Sequence, residues 1–219
     1  MMDEEMMVTF CFAPPMMHYI YFEYYKNKVI IFQMDGHHLI LGDFEDYITG
    51  EILKDTHDER YRQKVSRILV EQKGFLRTDI SPRLALFVRA GDKCAIIKID
   101  FGVTLSKRMH MIIKYGPGSI VTRHRPALAA SRLLASYQIP VVVVTNGEDA
   151  EILDGSTGKI IHTGLESIPS RSELLKIVSP DQFSPISAER SEMESRILYA
   201  YDVDGSCPCD DTICRIESE

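Results

Sequence analysis

The chain has 219 residues, 45% of them hydrophobic, and a formal net charge of -7. This length and composition fit one folded domain with appendages, and no apolar run reaches the roughly 18 residues that a membrane helix needs. The negative charge excludes a protein that coats nucleic acid with its whole surface. Because the start MMDEEMM is acidic, unlike a secretory signal, we expect a cytoplasmic protein with no membrane attachment.

The first 54 residues predict a β-rich N-terminal extension. Aromatic and polar residues alternate in HYIYFEYYKNKVIIF, as they do in a strand, and Asp35-Gly36 is typical of a hairpin turn. From Thr56 the apolar spacing becomes helical, and Gly74 predicts the end of that helix.

Residues 55–165 predict an α/β core. Apolar runs at 84–89, 94–101 and 109–115 predict three strands, and ALAASRLLASY predicts a helix over 125–137. IPVVVVTNG then predicts a strand buried on both faces, and AEILD with GKIIHTG predicts a closing hairpin. The expected fold is a mixed β-sheet flanked by helices, followed at 166–219 by a C-terminal helix, a loop and a cysteine-rich tail.

Two charged residues mark a candidate site in this core. Asp100 ends one predicted strand and Lys114 lies in the next, so a hairpin would bring both to one end or face of the sheet. A carboxylate can hold a divalent cation there, while an ammonium group positions water and offsets phosphate charge. Glu59, near the start of the preceding helix, is the candidate second carboxylate.

A family resemblance rests on four segments that occur in a fixed order. They are the helix DERYRQKVSRILVEQKGF, the strands IKIDFGV and MIIKY, and the strand end IPVVVVTNGEDAEILD. Together, over roughly residues 55 to 162, they resemble the N-terminal domain of type I restriction enzyme R subunits, the HSDR_N type of the PD-(D/E)xK nuclease fold. The resemblance implies a restriction-endonuclease-like core, DNA as the partner, and cleavage of DNA with Mg²⁺ or Mn²⁺.

The resemblance also implies site residues, with two departures from the family pattern. Asp100 would be the metal-binding aspartate and Lys114 the catalytic lysine. The acid of E-x-K is replaced by Ile112, which cannot ligate a hard cation. Arg132 is the nearest match to a supporting glutamine.

Three alternatives follow. In the first alternative, Glu59 replaces the missing carboxylate and the chain is a variant Mg²⁺- or Mn²⁺-dependent DNA endonuclease. In the second alternative, catalysis is lost and a DNA- or nucleotide-binding regulatory module remains. In the third, Asp100 and Lys114 form a plain salt bridge across a hairpin.

A basic segment favours binding. Between Asp100 and Glu148 there is no Asp or Glu, although six Lys or Arg residues lie there. A glycine turn before a helix that begins near Pro126 can hold a phosphate; the alternative is a plain turn with solvated arginines. The predicted phosphate or DNA contacts are Gly116, Gly118, Ser119, Arg123, Arg125 and Arg132.

The tail carries a second candidate site. Cys207, Cys209 and Cys214 form C-x-C-x4-C, a spacing that suits zinc or an iron–sulfur cluster, with Cys11 as the expected fourth ligand and Cys94 or His18 as substitutes. The alternative is an acidic tail with free thiols. Because DGSTGKII lacks the P-loop pattern, any motor or methyltransferase activity must belong to a partner protein.

Overall fold

The computed structural model describes residues 40–206 and 213–216. The strands within these ranges are β1 (Asp43–Glu45), β2 (Ile52–Lys54), β3 (Ile80–Ala90), β4 (Lys93–Leu105), β5 (Arg108–Tyr115), β6 (Val141–Thr145), β7 (Ala150–Asp154), β8 (Ile160–Thr163) and β9 (Ile213–Ile216). The α-helices are α1 (His57–Arg67), α2 (His124–Ser131), α3 (Arg171–Ile177) and α4 (Ala188–Leu198). A π-helical turn continues α1 over Ile68–Gln72, and another continues α4 over Tyr199–Asp204.

The main sheet is mixed and mainly antiparallel, which confirms the predicted α/β class. Its strand order is β3-β4-β5-β6-β7-β8, with β9 added beside β4, while β1 and β2 form a separate hairpin. β5 and β6 are parallel, and α2 connects them. The carboxyl ends of these two strands are therefore adjacent, which is where α/β sheets commonly bind ligands.

Helices cover both faces of this sheet. On one face Ile112 and Val142 pack with residues of α2 and with Leu198, Tyr199 and Val203 from the C-terminal region. On the other face Val65 and Leu69 of α1 and its π-helical turn pack with Leu174 of α3. The last part of the described chain therefore contributes directly to the core.

Local sequence accounts for most element boundaries. Thr56 caps α1, its side-chain oxygen accepting from the N–H of Glu59 at 3.2 Å, and Gly74 follows the helix with a φ of 70°. The run VVVVT of β6 is buried at every position, as predicted. Among the described helices, none has both the length and the apolar character needed to cross a membrane.

Two predicted boundaries are wrong. α2 ends at Ser131 rather than 137, because the Ser131 carbonyl accepts from Ile139 N–H at 3.1 Å and its hydroxyl accepts from the Gln138 amide at 3.0 Å. These bonds turn the chain into β6. Asp100 does not end its strand either, since β4 continues to Leu105. The predicted turn at Asp35-Gly36 lies outside the described residues.

Candidate functional site at the end of β5

Asp100 lies where β4 changes partners. On the same edge of β4, Cys94 to Ile97 pair with β9, whereas Phe101 to Leu105 pair with β5. Asp100 stands just before the β5 ladder, in which Phe101 pairs with Ile113. The Tyr115 N–H donates to Oδ2 of the Asp100 carboxylate at 2.7 Å, rather than to a backbone carbonyl. The side chain of Asp100 thus holds the end of β5.

Lys114 is the next residue along the same ladder, but it makes a different ion pair. Its ammonium group bonds the carboxylate of Asp202, from the π-helical turn after α4, and both side chains are largely buried. Asp100 is paired instead with Arg62 of α1, whose Nε donates to Oδ1 at 2.6 Å. The hairpin brings the two predicted residues to one end of the ladder. Asp100 and Lys114 do not form a salt bridge with each other, in contrast to the plain hairpin salt bridge of the third alternative.

Ile112 is fully buried, with no exposed surface, among residues of the α2 face. A carboxylate at that position would lie in an apolar core without water. The departure from E-x-K is therefore part of the packing of β5 against α2.

Glu59 lies close to Asp100, with an arginine between them. Arg62 Nη1 lies 3.4 Å from Glu59 Oε2, and the Gln63 amide donates to Glu59 Oε1 at 3.0 Å. Burial acts to lower the pKa of Arg62, but the charge of Asp100 and the hydrogen bond to it raise that pKa above its ordinary value. The guanidinium of Arg62 is therefore charged throughout the working pH range and bridges the two predicted metal ligands.

A second arginine, Arg83 of β3, also reaches Glu59. Arg83 has a φ of 51°, a left-handed conformation that costs a non-glycine residue on the order of 1 kcal/mol or more. Its Nη1 donates to Asp46 Oδ2 at 2.9 Å and lies 3.6 Å from Glu59 Oε1. Burial acts to raise the pKa of Asp46, but hydrogen bonds from the Thr49 N–H and from Arg83 lower it below its ordinary value.

Two of the predicted phosphate contacts lie in an internal ion-pair cluster. Arg132 is 8% exposed, and its Nη1 donates to Glu194 Oε1 at 2.8 Å. Arg125 Nη1 lies 2.6 Å from the other oxygen of Glu194, and Arg190 also pairs with this carboxylate. Burial lowers the pKa of Arg132 below its ordinary value. Both arginines are bound to a fully buried carboxylate, so their charge is neutralised within the protein, although the Arg125 side chain is 35% exposed.

The turn after β5 keeps part of its predicted binding capacity. The Gly116 N–H donates to the Thr145 carbonyl at 3.0 Å, so it is not available to an anion. Gly118 and Ser119 are exposed, and the Cβ position of Gly118 meets no atom within 4 Å. The Arg123 side chain crosses Gly116, with Cζ 2.9 Å from where a Cβ would stand. Arg123 has no ion-pair partner among the residues described.

The cysteine site falls mostly outside the described residues. Cys11, Cys207 and Cys209 are not described, whereas Cys214 is exposed in β9 and Cys94 is partly buried in β4. Because Cys94 pairs with Ile216 and Cys214 with Ile96, the two cysteines occupy diagonal positions on one face of neighbouring strands. Within the described ranges, no group of three or more His, Cys, Asp or Glu residues is arranged to hold a metal ion.

Comparison with known proteins identifies the family. The model for the N terminus of the type I restriction enzyme R protein (HSDR_N) matches residues 57–169, just over half of the chain. The chain therefore belongs to this family, as the sequence resemblance predicted, and the family indicates a restriction-enzyme-related role. No curated protein and no solved structure matches the chain.

Of three further residues that shape this site, one had a sequence signal and two had none. Arg62 lies three residues after Glu59, a helical spacing that predicts a contact on one face. Asp202 lies 88 residues beyond Lys114 in the sequence, and Arg83 stands at a left-handed backbone position. No local sequence pattern predicts that either residue reaches the site.

Proposed function

We propose that this chain is a DNA-binding module of a restriction system, which contacts phosphates at the turn after β5 and does not itself cleave DNA. The observation that carries the proposal is the open turn at Gly118 and Ser119 beside Arg123, at the carboxyl ends of the parallel strands β5 and β6. Backbone close to an arginine suits a phosphate, which accepts hydrogen bonds from both. Family membership supports DNA as the partner.

We expect no cleavage because the carboxylates of Asp100 and Glu59 do not fit a divalent cation. Mg²⁺ requires near-octahedral oxygen ligation. Both oxygens of Asp100 already accept hydrogen bonds, and Glu59 faces Arg62, Gln63 and Arg83. These residues do not fit the metal that the nuclease fold implies.

The binding proposal is tested by the salt dependence of affinity for a labelled duplex DNA. For Arg123→Ala we expect weaker binding and a slope of log K against log salt that is smaller by about 0.9, the value for one phosphate contact. Arg89→Ala is the matched control, because Arg89 is exposed near the far end of β3 and pairs with Cys94 rather than with the site. An unchanged slope in Arg123→Ala would remove this turn from the DNA interface.

A second candidate function is a metal-dependent endonuclease, and one observation favours it. The carboxylate of Asp202 lies beside Lys114, although it comes from the C-terminal region rather than from β5. An acid at this place is a candidate replacement for the one missing at Ile112. Nicking of plasmid DNA with Mg²⁺ or Mn²⁺ that disappears in Asp100→Asn, Lys114→Ala and Asp202→Asn would establish this function instead.

The remaining predictions are proposals about context. The partner in a restriction system is a protein that carries the motor or methyltransferase activity, and the compartment is the cytoplasm. A zinc or iron–sulfur site formed by Cys207, Cys209, Cys214 and either Cys11 or Cys94 is tested by elemental analysis and a visible absorption spectrum. Loss of the metal in Cys94→Ala, with retention in Cys11→Ala, would identify Cys94 as the fourth ligand.

A further inference from the structure

Asp100 and Glu59 do not fit a metal site because an arginine lies between them. One guanidinium, that of Arg62, contacts both Asp100 of β4 and Glu59 of α1, at 2.6 and 3.4 Å. Its side chain is 17% exposed, and those of Asp100 and Glu59 are 9% and 11% exposed. In this largely dry setting the arginine is the counter-charge of two neighbouring carboxylates.

The other oxygens of these carboxylates also have donors. Asp100 Oδ2 accepts from the Tyr115 N–H at 2.7 Å, and Glu59 Oε1 accepts from the Gln63 amide at 3.0 Å. Arg83 adds a second positive charge 3.6 Å from Glu59 Oε1. An entering cation would have to displace these donors and would meet two fixed positive charges.

The placement of Arg83 indicates that the second charge has a role. Its left-handed φ of 51° carries a conformational cost, which persists only where surrounding contacts compensate for it. Those contacts are its ion pairs with Asp46 at 2.9 Å and with Glu59. Two guanidinium groups therefore face Glu59, that of Arg62 from α1 and that of Arg83 from β3.

We propose that Arg62, assisted by Arg83, takes the place of a divalent cation between Asp100 and Glu59. The wild-type chain accordingly binds no Mn²⁺ at these residues, and removal of Arg62 creates a Mn²⁺ site there. The inference concerns metal binding by the free protein. A failure of this proposal about metal binding can therefore be distinguished from a failure of the proposed DNA binding.

The test is a Mn²⁺ titration of the purified full chain, followed by the EPR signal of free Mn²⁺ and by the thermal midpoint. Wild type should show no saturable binding. Arg62→Ala should bind one Mn²⁺, with a midpoint that rises by roughly 5 to 10 °C at about one hundred times Kd. Adding Asp100→Asn to Arg62→Ala should abolish both effects.

A matched control lies on the same helix. Arg60 of α1 also pairs with a carboxylate, that of Asp55, at 2.6 and 2.7 Å, but it bridges no second one within residues 40–206 and 213–216. Arg60→Ala should therefore bind no Mn²⁺. If Arg62→Ala does not fold, Arg62→Gln removes the charge while keeping a polar side chain.

The results that overturn the inference are definite. One is saturable Mn²⁺ binding by wild type that is lost in Asp100→Asn, since Arg62 would then coexist with the cation. Another is a folded Arg62→Ala or Arg62→Gln protein that binds no Mn²⁺, since the guanidinium would then not be what excludes it. If neither Arg62 variant folds, the wild-type titration alone decides: saturable binding overturns the inference, and its absence supports it.

Discussion

Replacing Glu194 by alanine should be among the most damaging single substitutions in this chain. The carboxylate has no exposed surface and faces three arginines, Arg125, Arg132 and Arg190, at 2.6 to 2.8 Å. Removing one partner of a buried ion pair costs about 3 to 5 kcal/mol, because the other charge is left without compensation. The side chains of Arg125 and Arg190 are 35% and 46% exposed and can regain water, whereas that of Arg132 is only 10% exposed.

One arginine therefore accounts for most of the penalty, and we expect a loss near the lower bound, about 3 kcal/mol. For a chain of this length that corresponds to a fall in the thermal midpoint of roughly 6 to 12 °C. The assay is urea and thermal unfolding followed by circular dichroism. The control is Glu192→Ala on the same helix, whose ion pair with Arg196 is exposed by 64% and 60%, and which should cost no more than about 0.5 kcal/mol. Equal losses in the two variants would refute the reasoning.

Three further predictions concern stability. Asp46 and Glu194 have folded pKa values below their ordinary values of 3.8 and 4.5, so the stability they add is present above those values and is lost as the pH falls through the folded ones. The wild-type thermal midpoint should thus fall steeply below about pH 4.5, and Glu194→Gln should flatten that fall; an equally steep fall in the variant would contradict this. Thr56→Ala should cost about 1 kcal/mol in urea unfolding by removing the cap of α1, whereas Thr56→Ser should cost little. Gly155→Ala should destabilise strongly, because its Cβ would overlap the Ile139 carbonyl oxygen, and wild-type stability in that variant would show that the backbone can move aside.

The core elements could be predicted from local sequence because their patterns are strong. The apolar run in β4, the four valines of β6 and the threonine cap of α1 each depend on neighbouring residues alone. The end of α2 could not be predicted, since ALAASRLLASY has the propensity to continue as helix. Tertiary hydrogen bonds from Gln138 and Ile139 to Ser131 decide that boundary.

The candidate site was predicted in position but not in its pairing. The antiparallel register brings Asp100 and Lys114 together, as a hairpin requires. Their counter-ions come from α1 and from the C-terminal π-helical turn, and such long-range partners leave no local pattern. The same limit applies to Arg125 and Arg132. An acid-free segment predicted a basic surface, but Glu194, 62 residues beyond Arg132, neutralises part of it.

We propose that this member of the HSDR_N family binds DNA without a metal at Asp100. Its most direct test is the affinity of the wild-type chain for duplex DNA, measured at matched ionic strength with EDTA and with Mn²⁺, together with the integrity of the DNA. We predict binding in EDTA that is at least as tight as in Mn²⁺, and DNA that stays intact in both. Binding or cleavage that requires Mn²⁺ and is lost in Asp100→Asn would contradict the account.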